Sequence, residues 1–317
     1  VQRRLGVSEP ELGVALLVLT LGAVAAMPWT GAVVGRVGGR AVALGATVAC
    51  TGFVLAALAP TTPALAVSLL LAGCGFGVWD VAMNAAAHEA EQRLGRTLMP
   101  GVHGAFSIGA LSGAAVGSVA AAGGVPAFVH LAVVGAVLLV TVWTAGDGLP
   151  VAIHDVRHPG DAGAGGARRR PVGLTGALVP IAAVMACAAV SEGAAADWVG
   201  LYLRDQIGTS EAAAAAGYAL FATAMAGGRF AGASALGRVG RARVLRTSGL
   251  FTAAGIALLV VAPSAPAAFA AVALWGLGAA LVFPTAMSAA AESSRRPADA
   301  IAAVSTAGYG GFLAGPA

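Results

Sequence analysis

Ten apolar runs follow one another along this chain, each closed by a short polar or glycine- and proline-bearing segment. They cover Leu12–Val34, Ala41–Pro60, Ala64–Ala87, Met99–Ala122, Phe128–Thr144, Val172–Leu201, Ala212–Leu236, Val244–Ala262, Ala268–Ala291 and Ala298–Ala317. A hydrocarbon core about 30 Å thick needs about 20 apolar residues in helical form. The runs are continuous and show no period-two alternation, so they predict helices and not barrel strands. Phe128–Thr144 is short but sufficient, and Val172–Leu201 is long enough to tilt or protrude. The stretch Gly146–Pro171 departs from the pattern, with Gly, Asp, His and an Arg triplet, and reads as a flexible linker between a bundle at 1–145 and a second at 172–317. The predicted fold class is all-α, a polytopic membrane protein with about ten transmembrane helices.

Composition agrees with that picture and removes others. Of 317 residues 58% are hydrophobic and only 10% charged, with mean hydropathy +0.86, too few charges to coat a water-soluble domain. Disorder needs low hydrophobicity, and the 46 glycines have no triplet period, so neither disorder nor collagen fits. All 18 basic residues are Arg, and 14 of them lie in alternate loops: Arg36 and Arg40; Arg93 and Arg96; Arg157 and Arg168 to Arg170; Arg238, Arg241, Arg243 and Arg246; Arg295 and Arg296. The intervening loops at 59–63, 121–126 and 262–266 carry no charge, and the fourth, between Tyr202 and Glu211, has only Arg204 with two acids. By the positive-inside rule the Arg-rich loops and the linker are cytoplasmic, and this spacing also argues against a nucleic-acid-binding stripe.

The halves repeat at an offset near 200. GRVG stands at 35–38 and at 237–240; WDVAMNAAAHE at 79–89 is matched by FPTAMSAAAES at 283–293; Gly109 and Gly113 are matched by Gly311 and Gly315. Duplicated bundles joined by a polar loop are a transporter architecture. The GxGxG string at Gly73, Gly75 and Gly77 lies inside an apolar run, without the strand and helix a dinucleotide loop needs, and is read as helix packing. Cys50, Cys74 and Cys187 each sit inside an apolar run without metal-ligand spacing. His154 and His158 flank Asp155 in the linker with no converging further ligands, so no metal and no cofactor are expected.

A charge at the bilayer centre costs at least about 2.5–3.5 kcal/mol, so ionisable residues inside the runs are the candidate site. Asp80 lies eight residues before the end of its run, about 12 Å deep at 1.5 Å per residue, with Asn84 one turn on and Trp79 beside it. Such a polar pair next to an aromatic suits a sugar-like solute or a proton. Arg229 matches that depth in the seventh run, and Glu192 lies halfway along the sixth. Arg229 is expected to pair with Glu192 or Asp80, with protonation of the carboxylate releasing the pair. Asp197 and Trp198, nearer the outer end, are candidates for an outer vestibule, and His103 for an interhelix hydrogen bond or proton relay. His88 and Glu89 are expected at the interface, solvated.

GAVVGRVGGR (31–40), with GFLAGPA (311–317), resembles the major facilitator superfamily. The segments WDVAMN, GVHGAFSIGALSG (101–113) and EGAAADWVGLYL (192–203) are similar to a bacterial branch near the fucose-permease and rhizopine-locus transporters. The resemblance implies two six-helix bundles, of which this chain would hold helices 2–6 and 7–11, lacking the first helix and the C-terminal end. It also implies a gating loop at Gly31, Arg36, Gly38 and Arg40 with a second copy at Arg238 and Arg241, although Gly35 replaces the acidic residue of the family pattern.

The expected function is secondary transport by alternating access, as proton symport of a sugar-like or polyol solute, in a bacterial cytoplasmic membrane. Proton-antiport efflux of drugs or metabolites is the alternative, and a non-transporting membrane sensor is an alternative of another class. No HExxH or nucleophile elbow occurs, so no enzyme is expected. The expected partners are the solute, the proton and the lipid bilayer, with no nucleic acid, and the chain is expected to be monomeric.

Overall fold

A computed structural model describes residues 2–6, 8–146, 149, 173–174 and 176–314, and among them all regular structure is helical. In chain order the elements are α1 (Gln2–Leu5), α2 (Glu9–Val37), α3 (Arg40–Leu58), α4 (Thr62–Leu94), α5 (Met99–Ala122) and α6 (Ala127–Gly146), followed by α7 (Leu178–Asp205), α8 (Glu211–Val239), α9 (Arg241–Val260), α10 (Ala265–Ala279), α11 (Val282–Glu292) and α12 (Pro297–Ala314). The linker and its His154, Asp155 and His158 lie outside the described residues.

Among the described residues each apolar run contains helix, and eight stretches are long and apolar enough to cross a membrane. The other two expected spans are also helical: α8, with Arg229 in its midst, and the short α12, which begins beside Asp299. The ninth run is divided into α10 and α11, where a single helix was expected. Pro284 accounts for the division. It has no N–H for the carbonyl of Ala280 four residues back, and its ring crowds that carbonyl.

Several helices outrun their apolar segments. α4 continues seven residues beyond Ala87, because the following residues are good helix formers and Arg93 pairs with Glu89 one turn back at 2.9 Å. It stops before Gly95, whose φ is +61°. The two GRVG segments share a backbone reason. Gly38 (φ +59°) caps α2 and donates to Val34 O at 2.8 Å, and Gly240 (φ +81°) caps α8 and donates to Leu236 O at 3.2 Å. The start of α2 carries a capping box. Backbone and side-chain hydrogen bonds from Ser8 hold the Glu11 carboxyl below the usual carboxylate range.

The chain forms two compact units. One comprises 1–93, 116–178 and 290–306, the other 94–115, 179–289 and 307–317. In the first, Ala15, Ala56, Leu65 and Leu69 form one apolar cluster, and Val34, Ala41, Val42 and Ala82 another. In the second, Val199, Leu203, Phe221, Leu259, Val272 and Trp275 are packed together. Many large apolar side chains, such as Val67, Val119, Leu250 and Val261, face outward while alanines fill the interiors. Lipid offers helices no hydrophobic reason to associate, so association rests on close backbone approach through small residues.

That approach repeats between the units. Gly52 lies against Ala72, and Gly255 against Trp275; Gly75 lies against Val48 and Ala49, and Gly278 against Phe251 and Thr252. Every partner in the second unit stands 203 positions after its counterpart in the first. The GxGxG string is thus a packing device. Gly73 and Gly77 accommodate Leu19 and Ala23 of α2, and Gly75 accommodates α3.

Candidate functional site

The second unit buries one arginine. Arg229, on α8, is 4% exposed, and each side of its guanidinium meets a different kind of group. Its Nε donates to Ala280 O at 3.3 Å, the carbonyl that Pro284 leaves without an intrahelical donor. Its Nη1 donates to the Ser107 hydroxyl at 2.7 Å and to His103 O at 3.4 Å, both on α5. Ser107 Oγ in turn donates to His103 O at 3.1 Å. Its Nη2 faces Glu192 Oε1 of α7 at 3.6 Å. That separation is an ion-pair contact but too long for a hydrogen bond, and Glu192 Oε1 is buried without a hydrogen-bond partner among the described residues.

Of the two carboxylates expected to compete for Arg229, the structure thus brings Glu192 to it. The cation is held by three neutral oxygens and one carboxylate, the pattern expected where an uncompensated charge would be costly. Helix α7 is fixed next to Glu192 by Ser191, whose hydroxyl accepts a hydrogen bond from Trp275 Nε1 at 2.8 Å. His103 is buried, with its ring tilted on Phe283 at 5.5 Å between centroids. Gly104 beside it leaves room for the ring of Phe230.

Asp80, Asn84 and Trp79 belong to the first unit, on α4. Asp80 Oδ2 is buried without a hydrogen-bond partner among the described residues. Asn84 is fully buried and donates from Nδ2 to the Asp80 backbone carbonyl at 2.9 Å, so the two share a face as their spacing predicts. Trp79 is turned away from them. It packs on the cluster of Val34, Ala41, Val42 and Ala82 and lies edge-on to Phe76. Because α4 runs on to Leu94, seven residues beyond the apolar run, Asp80 stands fourteen residues from its end.

Asp197 and Trp198 are exposed on α7 and point away from Glu192. Arg36, Arg40, Arg238 and Arg241 are exposed at helix ends, and Gly38 is the helix cap described above. Gly31 has a steric role, since the Asp299 carboxylate rests against its Cα where a Cβ would collide. Asp299 also pairs with Arg296 at 3.0 Å. His88 differs from expectation. It is buried at 6% exposure, whereas Glu89 alone makes the surface pair with Arg93.

Three site features escaped the sequence reading: the Ser107 hydroxyl, the Ala280 carbonyl, and the Trp275–Ser191 bond. A proline within an apolar run was the available signal for the second, because it leaves an acceptor four residues back. No signal pointed to the others, which depend on which helices meet. Among the described residues no three His, Cys, Asp or Glu side chains converge as a metal-binding set.

Comparison with known proteins adds the following. The family model described as Major Facilitator Superfamily matches residues 1–316. The uncharacterized transporter y4wD of Sinorhizobium fredii is 37% identical over 321 residues, covering 98% of this chain and 81% of the relative. The human organic anion transporter MFSD10 aligns with a TM-score of 0.73 at 18% identity, over 96% of this chain and 75% of that one. The proton:xylose symporter XylE aligns at 0.70 and 16% identity, over 98% and 80%. These two structural likenesses show the fold.

Proposed function

We propose a function for a chain that belongs to the Major Facilitator Superfamily, and so is a multi-pass secondary transporter of a small solute and not an enzyme. On this reading it is a proton-coupled symporter of a sugar-like or polyol solute. It works by alternating access between bundles 1–145 and 172–317, in a bacterial cytoplasmic membrane, as a monomer, with the Arg-rich loops and central linker inside.

The observation that carries the reading is the Arg229–Glu192 pair at 3.6 Å. Ionised Glu192 is drawn to the guanidinium by charge alone. Protonation removes that charge, and Arg229 stays anchored by Ala280 O, His103 O and Ser107 Oγ. The pair therefore opens from the carboxyl side, and Glu192 is the group set free. His103 is the positioning residue that presents one of these oxygens. The buried Asp80 oxygen is the acceptor offered to solute hydroxyls, with Asn84 fixing its turn of helix and Trp79 its packing. Asp197 and Trp198 are assigned to the outer vestibule. Gly31, Arg36, Gly38 and Arg40, with Arg238 and Arg241, are assigned to the gating loops. The printed description of XylE as a proton:xylose symporter accords with this choice.

The test is uptake by full-length protein in proteoliposomes against a panel of sugars and polyols, with an imposed proton gradient. The wild type accumulates one class of solute. The Glu192→Gln variant keeps solute exchange and loses gradient-driven accumulation. Full accumulation by that variant overturns the coupling role. Extrusion of lipophilic cargo would favour antiport, an alternative for which the Ala- and Gly-rich helices speak. Binding without counterflow would favour a sensor.

A further inference from the structure

The mechanism above leaves two buried titratable groups of α4 unused. His88 is 6% exposed and Glu91 is 9% exposed. With Asp80 and Asn84 they fall at steps of four, four and three residues, which keeps all four within an arc of about 80° on one helix face. The stripe runs for about 16 Å along the axis, from the middle of the helix toward its Arg93 end. Glu89 shows that the placement is specific. It lies on the opposite face of the same turns and meets water in its pair with Arg93. Helices α2 and α3 approach α4 through Gly73, Gly75 and Gly77. The charged groups at their nearby ends, Arg36 and Arg40, are exposed. Another charged pair of this unit is Arg296–Asp299, on α12. Burying polar and ionisable side chains is costly, and four on one buried face call for a function.

We infer that Asp80, Asn84, His88 and Glu91 form a proton-exchange path along α4, joining the Asp80 carboxyl to the aqueous phase at the Arg93 end of the helix. Glu91 takes the proton from water. His88 accepts it on one ring nitrogen and gives up the other ring proton, which crosses the remaining two turns to Asp80 through water admitted beside Asn84. A full inward passage leaves Glu91 and His88 as they began and Asp80 with one proton more, taken from water, and the reverse passage returns it. The inference rests on the proton-coupled reading but concerns a different carboxyl from Glu192.

The test needs no solute. Full-length protein in liposomes is moved from water to deuterated buffer, and the carboxylic-acid infrared bands of Asp80 and Glu192 are followed. The bands are assigned by their loss in Asp80→Asn and Glu192→Gln. In Glu91→Gln and His88→Gln the Asp80 band is expected to exchange at least about tenfold more slowly, a barrier increase of about 1.4 kcal/mol, with the Glu192 band unchanged. Equal slowing of both bands would mark a general structural effect and overturn the path. Unchanged exchange of Asp80 in both variants would overturn it too, as would the absence of a protonated Asp80 band at every pH where the protein stays folded. A path that fails while Glu192→Gln still abolishes coupling leaves the proposed function standing.

Discussion

Arg229 concentrates the energetics of this protein in one side chain. Removing one partner of a buried pair costs about 3–5 kcal/mol, because the remaining charge is left without compensation. Arg229→Ala strands Glu192 and takes the donor from Ala280 O, so unfolding in detergent should come earlier by a free energy of that order. Adding Glu192→Gln should recover part of the loss, since the stranded charge is gone. If the two substitutions were simply additive in melting experiments, the residues would not be coupled. Arg229→Lys should not substitute, as a single ammonium cannot serve three oxygens arranged around a planar fork. The sequence made Arg229 and Glu192 legible because a charge among apolar residues demands a partner. It could not choose between Glu192 and Asp80, since helical spacing orders residues on their own helix and says nothing of which helix they face. Trp79 marks the same limit: its adjacency to Asp80 was readable, but its turn into the core of Val34 and Val42 was not.

At the level of helices, the repeat is written in glycine contacts more clearly than in residue identities. A Cβ at Gly52 would strike Ala72, and one at Gly255 would strike the backbone of Trp275, whereas Gly35 has nothing near it. Gly52→Ala and Gly255→Ala should therefore each destabilise by about 1–3 kcal/mol through overpacking. Gly35→Ala should be neutral or stabilising by up to about 1 kcal/mol, the helix propensity gained. Thermal melts of the three variants check this, and equal loss in all three would refute the packing account. The repeat also explains where the halves part. Eight steps separate Gly75 from Met83, but nine separate Gly278 from Met287. The additional residue coincides with the interruption between α10 and α11. There Pro284 stands where the first half has Asp80, each three residues before the paired methionine. The interruption provides the free carbonyl that Arg229 uses. Hydropathy alone showed a single run here, because a proline and one inserted residue scarcely change the apolar content.

For the molecule as a whole, the number of apolar runs was readable because lipid imposes a length on each, while helix ends were not, since α4 and α8 continue into water on polar turns. Orientation follows from charge. The Arg-bearing loops resist translocation and the uncharged loops do not, so Arg93 and Arg295 should share the cytoplasmic side while Thr61 and Ser264 lie outside. These positions flank corresponding spans, α4 in one half and α10 with α11 in the other, and each is tested through an exposed neighbour. Cys187 is exposed and is replaced first, together with Cys50 and Cys74. Single cysteines at Thr61, Gln92, Ser264 and Ser293 are then treated in intact cells with a membrane-impermeant maleimide. Thr61→Cys and Ser264→Cys should label, and Gln92→Cys and Ser293→Cys only after permeabilisation. The reverse pattern would place the arginines outside. It would also move the Arg93 end of α4 to the outer face, so that a proton entering at Glu91 would come from the medium and not from the cell.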